Sequence, residues 1–367
     1  MPLVPNALER LLLFRLNRGP GVAVDLFAAA GFRTVAYALD LGLFDLLRGG
    51  PRSAAWLARE TATGERGIEA VAGLLVALGY LRERDGRYAN AAATTRWLTD
   101  AEGSNLGPWF TMWDAVVFPY WDAVFAAAVG EGHPPETLYD YLGDDEAAWR
   151  LVQSGFRATA VVAAPEVLDA VPVPRGARVL DLGGGHGHYA LELARRDPDL
   201  RATVFDLPAA LDVARETVDA GGFAGRMDLV GGDYRRDDLG DLVPDDDRYD
   251  AVFLFNVVHA HDAAETRDLF ERARAVLAPG GVLVVLDQFE GGVPELRNPL
   301  TGEDLPLSNV AAAGVAFVDL TYLVTLGARV HAVDAVERWL RGAGFASVER
   351  TTLRRSPGAT VLVARVS

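Results

Sequence analysis

Along the first hundred residues, apolar side chains recur at helical spacing. Between Val22 and Leu47 they fall at Leu26, Ala29, Val35, Ala38, Leu39, Leu43, Leu46 and Leu47, and the run stops at Gly49-Gly50-Pro51. The pattern predicts helices over 22–47, 54–61 and 67–81. Asp85-Gly86 then separates two short extended pieces, a hairpin signal. Three helices and a hairpin make a winged helix, a shape used most often to bind DNA. Past Glu69, however, the third helix is nearly all apolar, so it is predicted to be buried rather than laid in a groove. The opening stretch MPLVPNALERLLLFRLNRG places Glu9 and Arg10 before a short apolar centre, which reads as a helix and not as a secretory signal.

Residues 101–172 read as an all-helical connector. Trp109, Phe110, Trp113, Phe118, Tyr120, Trp121 and Phe125 crowd one part of it. Rings at this density build core, or a pocket for a flat apolar molecule, and some of each is expected. Phe110–Val129 comes nearest to a membrane span, but Trp113-Asp114 and Trp121-Asp122 are read as breaking it. A helix over 146–171 leads to a hinge at Pro172-Val173-Pro174.

From residue 175 the period changes. Strand-like runs near 178–182, 201–205, 227–230, 250–255 and 281–286 alternate with helical stretches, the pattern of a parallel sheet covered on both faces. Two further runs, 346–353 and 359–366, read as an edge pair. The proline- and acid-bearing segment 293–306 is expected to loop over the site. The fold class is therefore α/β, a doubly wound Rossmann-like sheet behind a helical winged-helix domain, divided 1–100, 101–172 and 173–367.

The chemistry gathers at RVLDLGGGHGHY, residues 178–189. A buried strand ends in Asp181, with Gly183, Gly185 and Gly187 at alternate positions before a helix. Glycines there let the backbone turn sharply and approach a ligand at the strand's carboxyl end. The dinucleotide fingerprint needs glycine at 188, where His188 stands. Asp181 would repel a pyrophosphate, whereas a ligand carrying an ammonium and a sulfonium would not be repelled, which favours S-adenosylmethionine over NAD. Asp206 ends the second strand about 20 residues on, where an acceptor for a ribose diol belongs. His186 and His188 are two positions apart at a helix start and face different ways, so no metal site is expected.

VLDLGGGHGHYALELARRDPDLRATVFDLP, GGDY, NVVHAHD and LAPGGVLVVLD together resemble the class I S-adenosylmethionine-dependent methyltransferases. More narrowly, the chain is similar to the dimeric small-molecule O-methyltransferases of plant phenolic and bacterial secondary metabolism. The resemblance covers most of the chain and implies S-adenosylmethionine as cofactor and methyl transfer to a hydroxyl of an aromatic or polycyclic molecule. It implies that Asp181, Gly183 and Gly185 hold the methionine end, and that Asp206 and Leu207 meet the ribose. Asp233, Tyr234 and Asn256 complete the cofactor site. His259 falls on the family's general base, with Asp287 as the acid behind it. Trp113, Phe118 (beside Val117) and Trp121 fall in the acceptor region. His261 stands where a tryptophan is usual, and Val330 where many members have a second acid. Residues 1–100 are the family's dimerisation segment, so a homodimer is implied.

Composition narrows the partners. A formal charge of −16 argues against nucleic acid and anionic membranes. Without cysteine there is no disulfide, thiolate metal site or cysteine nucleophile, which suits the cytoplasm. Every basic side chain is arginine, as in a GC-rich genome or a halophile. Two other classes stay open: a relative that binds S-adenosylmethionine but hydroxylates, decarboxylates, cyclises or methylates carbon or nitrogen, and a winged-helix regulator.

Overall fold

The computed structural model describes residues 6–101, 103–243, 247–291, 296–297, 304–305, 309–353 and 358–367. The chain forms two compact units, residues 1–118 and 119–367.

In the first unit, helix α1 (Ala23–Asp40) ends earlier than the apolar spacing predicts. Gly42 takes a left-handed φ of +64° and starts a separate short helix, Leu43–Leu46. The apolar period survives this break because Val35, Ala38, Leu43, Phe44 and Leu47 all enter the same core. Strand β1 (Arg52–Ser53) precedes α2 (Ala54–Glu60), whose first turn is capped by Ser53 accepting from Trp56 N–H. Helix α3 (Glu65–Ala77) buries Ile68, Ala72 and Leu75 and stops short of residue 81, because Leu81 already begins β2 (Leu81–Arg84). Asp85 and Gly86 both have positive φ (51° and 70°), the backbone of a two-residue hairpin turn, and lead into β3 (Arg87–Asn90). The wing is a three-stranded sheet in the order β1-β3-β2.

Residues 107–131 form one continuous helical stretch of 25 residues with mean hydropathy 1.2, long and apolar enough to span a membrane. Neither Trp113-Asp114 nor Trp121-Asp122 breaks it; a π-helical turn at Trp113–Val117 absorbs the first pair. Met112, Val116, Val117, Tyr120, Val124 and Ala128 along it are buried. Its last part is α4 (Phe118–Glu131).

In the second unit, α5 (Leu138–Leu142) and α6 (Glu146–Asp169) precede an eight-stranded sheet. Its strands are β4 (Arg178–Leu182), β5 (Arg201–Asp206), β6 (Met227–Gly231), β7 (Tyr249–Phe255) and the long β8 (Leu277–Glu290). A separate pair, β9 (Leu296–Arg297) and β10 (Asp304–Leu305), covers part of the predicted loop; its remaining residues lie outside the described ones. Then come β11 (His331–Ala332), β12 (Ser347–Thr352) and β13 (Ala359–Arg365). The order is β12-β13-β8-β7-β4-β5-β6, with β11 beside the end of β8. Strands β4 to β8 pair in parallel, and β13 is antiparallel to both β8 and β12.

Helices α7 (His188–Arg196), α8 (Asp212–Gly221), α9 (Ala263–Ala275), α10 (Asn309–Leu326) and α11 (Val333–Gly342) complete the unit. The strands are apolar on both faces. Val179, Phe253 and Val284 enter one core, while Leu180, Val252 and Leu283 enter another. Sequence order reverses on either side of β4: β5 and β6 lie one way, β7 and β8 the other. The crevice at such a switch point is where open α/β sheets bind ligands.

Candidate active site

The loop after β4 is shaped by what glycine permits. Gly185 sits at φ +42°, and a Cβ there would lie 2.5 Å from Gln153 Oε1; at Gly183 it would lie 2.7 Å from Val257 Cγ2. The N–H of Gly185 donates to Asp206 Oδ2 at 2.8 Å, and Leu207 N–H donates to Oδ1 at 2.7 Å. One carboxylate thus ties the glycine loop to the end of β5. The structure brings Asp181, Gly183, Gly185, Asp206 and Leu207 to this one crevice.

Its electrostatics point to a cationic guest. Asp181 is buried, and its Oδ2 has no hydrogen-bond partner. Burial, then the neighbouring Asp206, pushes its carboxyl up to about 7. Asp206 is pushed up to about 6 by burial, although the two amides that bond it pull the other way. An unpartnered buried carboxylate beside a second one costs free energy unless a positive ligand group arrives. Helix α6 supplies the rest: Gln153 at the loop and, one turn on, Arg157, whose Nε is buried without a partner. Burial first, and the Arg157 charge among lesser causes, lowers His186 to about 3 and His188 to about 4. Both rings are therefore neutral near pH 7. Among the described residues no cluster of three or more metal-ligating side chains is found.

Asp233 and Tyr234 follow β6. The Tyr234 hydroxyl and His261 Nε2 are hydrogen-bonded at 3.1 Å, and burial, then Arg235, lowers His261 to about 4. Asn256, just past β7, holds a left-handed φ of +55°, uncommon for a side-chain-bearing residue and a frequent mark of a functional turn. Tyr139 of α5 was not evident from sequence; its ring stacks on Trp149 of α6 at 5.7 Å, and burial, then the Asp206 and Tyr234 charges, raises its hydroxyl.

His259 lies on a single 3₁₀ turn after β7, and Asp287 near the end of β8. Nδ1 of His259 is 2.9 Å from Asp287 Oδ1, and the His259 backbone N–H donates to Oδ2 at 3.0 Å. Gln288 N–H donates to Oδ1 at 2.9 Å. Both side chains are buried. The imidazole lies flat on Tyr322 of α10, ring centroids 3.8 Å apart and planes within 3°. Tyr322 in turn donates its hydroxyl to Gln288 Oε1. An acid fixed on Nδ1 selects the tautomer that leaves Nε2 as the basic nitrogen.

The aromatic residues divide between the two units. Trp113 and Phe118 pack against each other at 5.3 Å in the first unit, where Phe32 also meets Phe118. Trp121 belongs to the second unit, with Phe125 at 5.6 Å and Phe317 of α10 at 6.2 Å. Phe125 and Phe317 are exposed.

The chain is similar to known proteins along most of its length. Residues 109–313 match the O-methyltransferase domain, and residues 26–100 match the O-methyltransferase dimerisation domain. The chain is 28% identical to a 3-hydroxy-5-methyl-1-naphthoate 3-O-methyltransferase of Streptomyces sahachiroi, covering 91% of each. It is 30% identical to the N,N-dimethyltransferase OxyT of Streptomyces rimosus over 68% of this chain and 72% of that protein. The fold aligns with human N-acetylserotonin methyltransferase, solved in complex with SAM, over 100% of both chains at a TM-score of 0.76 and 22% identity.

Proposed function

Because this chain belongs to the S-adenosylmethionine-dependent O-methyltransferase family, we propose that His259 is the general base that takes the proton from an acceptor hydroxyl, oriented by Asp287. The hydrogen-bonded pair at the rim of the switch-point crevice carries this reading. Asp287 accepts from Nδ1–H, so Nε2 receives the acceptor proton, and the carboxylate offsets the imidazolium charge that results.

Bound S-adenosylmethionine supplies an electrophilic methyl group on a sulfonium. The crevice suits it: Asp181 offers an unpartnered carboxylate for the cationic methionine end, and a Cβ at Gly183 or Gly185 would fill the cradle. Arg157 would pair with the methionine carboxylate. Asp206, beside Leu207, would accept from the ribose, and Asp233, Tyr234 and Asn256 would border the adenine. Nothing more than position and charge is asked of these residues.

A flat polycyclic phenol is the acceptor we favour. The Trp121–Phe317 pair offers an aromatic face, and the Streptomyces sahachiroi relative is named for a hydroxynaphthoate. Incubating the protein with isotopically labelled S-adenosylmethionine and a panel of naphthols and hydroxynaphthoates should yield acceptors heavier by one labelled methyl. If no phenol is methylated while S-adenosylhomocysteine binds, O-methylation of this class is lost as the activity.

We also propose that residues 1–100 pair two copies of the chain in the cytoplasm, with 101–172 as connector and 173–367 as the cofactor domain. The match to the dimerisation domain supports this, as do the exposed Leu8, Leu11, Phe14, Leu26 and Phe27. Light scattering should give twice the 39.4 kDa chain mass, and Leu26→Asp with Phe27→Asp should give the single-chain mass. A monomer at micromolar concentration in the unchanged protein would remove the dimer.

A further inference from the structure

Two neutral rings avoid the face-to-face sandwich and prefer offset or edge-on contacts, with centroids 4.5–7 Å apart in general experience. His259 and Tyr322 lie parallel within 3° at a centroid distance of 3.8 Å, closer than that range and in full ring-on-ring contact. Such a contact favours an imidazolium over a neutral imidazole, because the positive charge is attracted by the negative face of the phenol ring. Tyr322 cannot easily swing away, because its hydroxyl is bonded to Gln288 Oε1 while Gln288 N–H bonds Asp287. Ring, amide, carboxylate and imidazole therefore close a circuit.

We infer that Tyr322 is a positioning residue of the base: its ring fixes the plane of His259 and stabilises the imidazolium formed when Nε2 takes a proton. This rests on His259 being the base. The groups facing His259 are Asp287 on β8, Tyr322 on α10 and His261 on its own turn, with Tyr139 of α5 reaching Tyr322.

The test is a pH titration by NMR of the full-length protein saturated with S-adenosylhomocysteine, with ¹³C-labelled histidine and His259 assigned through His259→Gln. It needs no acceptor. Removing the ring face in Tyr322→Leu should move the His259 titration midpoint down by about 0.5–1 unit relative to the unchanged protein. Tyr322→Phe keeps the face and should restore the original midpoint. An unchanged midpoint in Tyr322→Leu, or an equal displacement in Tyr322→Phe, would overturn the inference. If Tyr322→Leu fails to bind S-adenosylhomocysteine, Tyr322→Met, of closer bulk and also without a ring, takes its place with the same two outcomes. Full turnover in His259→Ala would instead remove the base itself, whatever the titration shows.

Discussion

Asp181 and Asp287 lie near the carboxyl ends of strands of the same sheet, and both are closed to solvent. Asp287 is filled from within the chain by two N–H groups and one imidazole. Asp181 keeps an oxygen with no partner and has a second carboxylate nearby. Equal burial therefore has opposite consequences. The His259–Asp287 pair is assembled in advance, and the cradle around Asp181 is left electrostatically unfinished until something cationic completes it.

The sharpest way to break this contrast is to remove the finished side. His259→Ala should lower turnover by about 10²–10⁴-fold with S-adenosylmethionine affinity nearly unchanged. Asp287→Asn should lose less, about 10–10²-fold, since it still orients the ring without offsetting its charge. Affinity that falls in step with turnover would show that His259 shapes the cradle instead.

The unfinished side predicts a pH dependence of binding. With Asp181 pushed up to about 7 and Asp206 to about 6, the free protein carries protons that a cationic ligand must expel. Affinity for S-adenosylmethionine should therefore weaken as pH falls, by about tenfold between pH 8 and pH 6, and Asp181→Asn should flatten the curve. Calorimetry in buffers of different ionisation enthalpy would detect the released proton. A flat profile in the unchanged protein would mean that Asp181 is already compensated.

The smallest effect concerns stability without ligand. A carboxyl raised in the folded state binds protons there that the unfolded chain has already lost. It therefore costs nothing below pH 4, costs progressively more as pH rises to about 7, and costs its full amount above that. Asp181→Asn should raise the melting temperature of the ligand-free protein by a few degrees at pH 8, with the gain vanishing toward pH 4. Saturating S-adenosylmethionine should reverse the order of the two proteins. A variant that melts lower at pH 8 without ligand would contradict an uncompensated Asp181.

Local patterns made the strand ends legible in the sequence. Apolar runs marked β4 to β8, and Asp181, Asp206, His259 and Asp287 each stand at a run's end, where topology alone brings them to one rim. Tyr139, Gln153, Arg157 and Tyr322 were not legible, because each arrives from a helix far away in sequence and only packing decides which face points at the crevice. Gln153 left one trace, a polar residue on a buried helical face. The break at Gly42 was hidden for a related reason. The apolar spacing of 22–47 runs through it, and a glycine in a helical pattern does not reveal that it will turn left-handed.

Strand β8 is paired on both sides up to Leu286, opposite Phe255 on β7, and Asp287 follows with Thr360 of β13 opposite it. Amides in such a strand exchange with solvent only when the whole unit opens, whereas loops and rim helices open by smaller excursions. Asp287 is thus rooted in the sheet, while Trp121 and Phe317 sit on helices outside it. Substitutions at Trp121 or Phe317 would change that aromatic face and leave the hydrogen bonds of Asp287 in place, whereas Tyr322, on the same helix as Phe317, is held against His259.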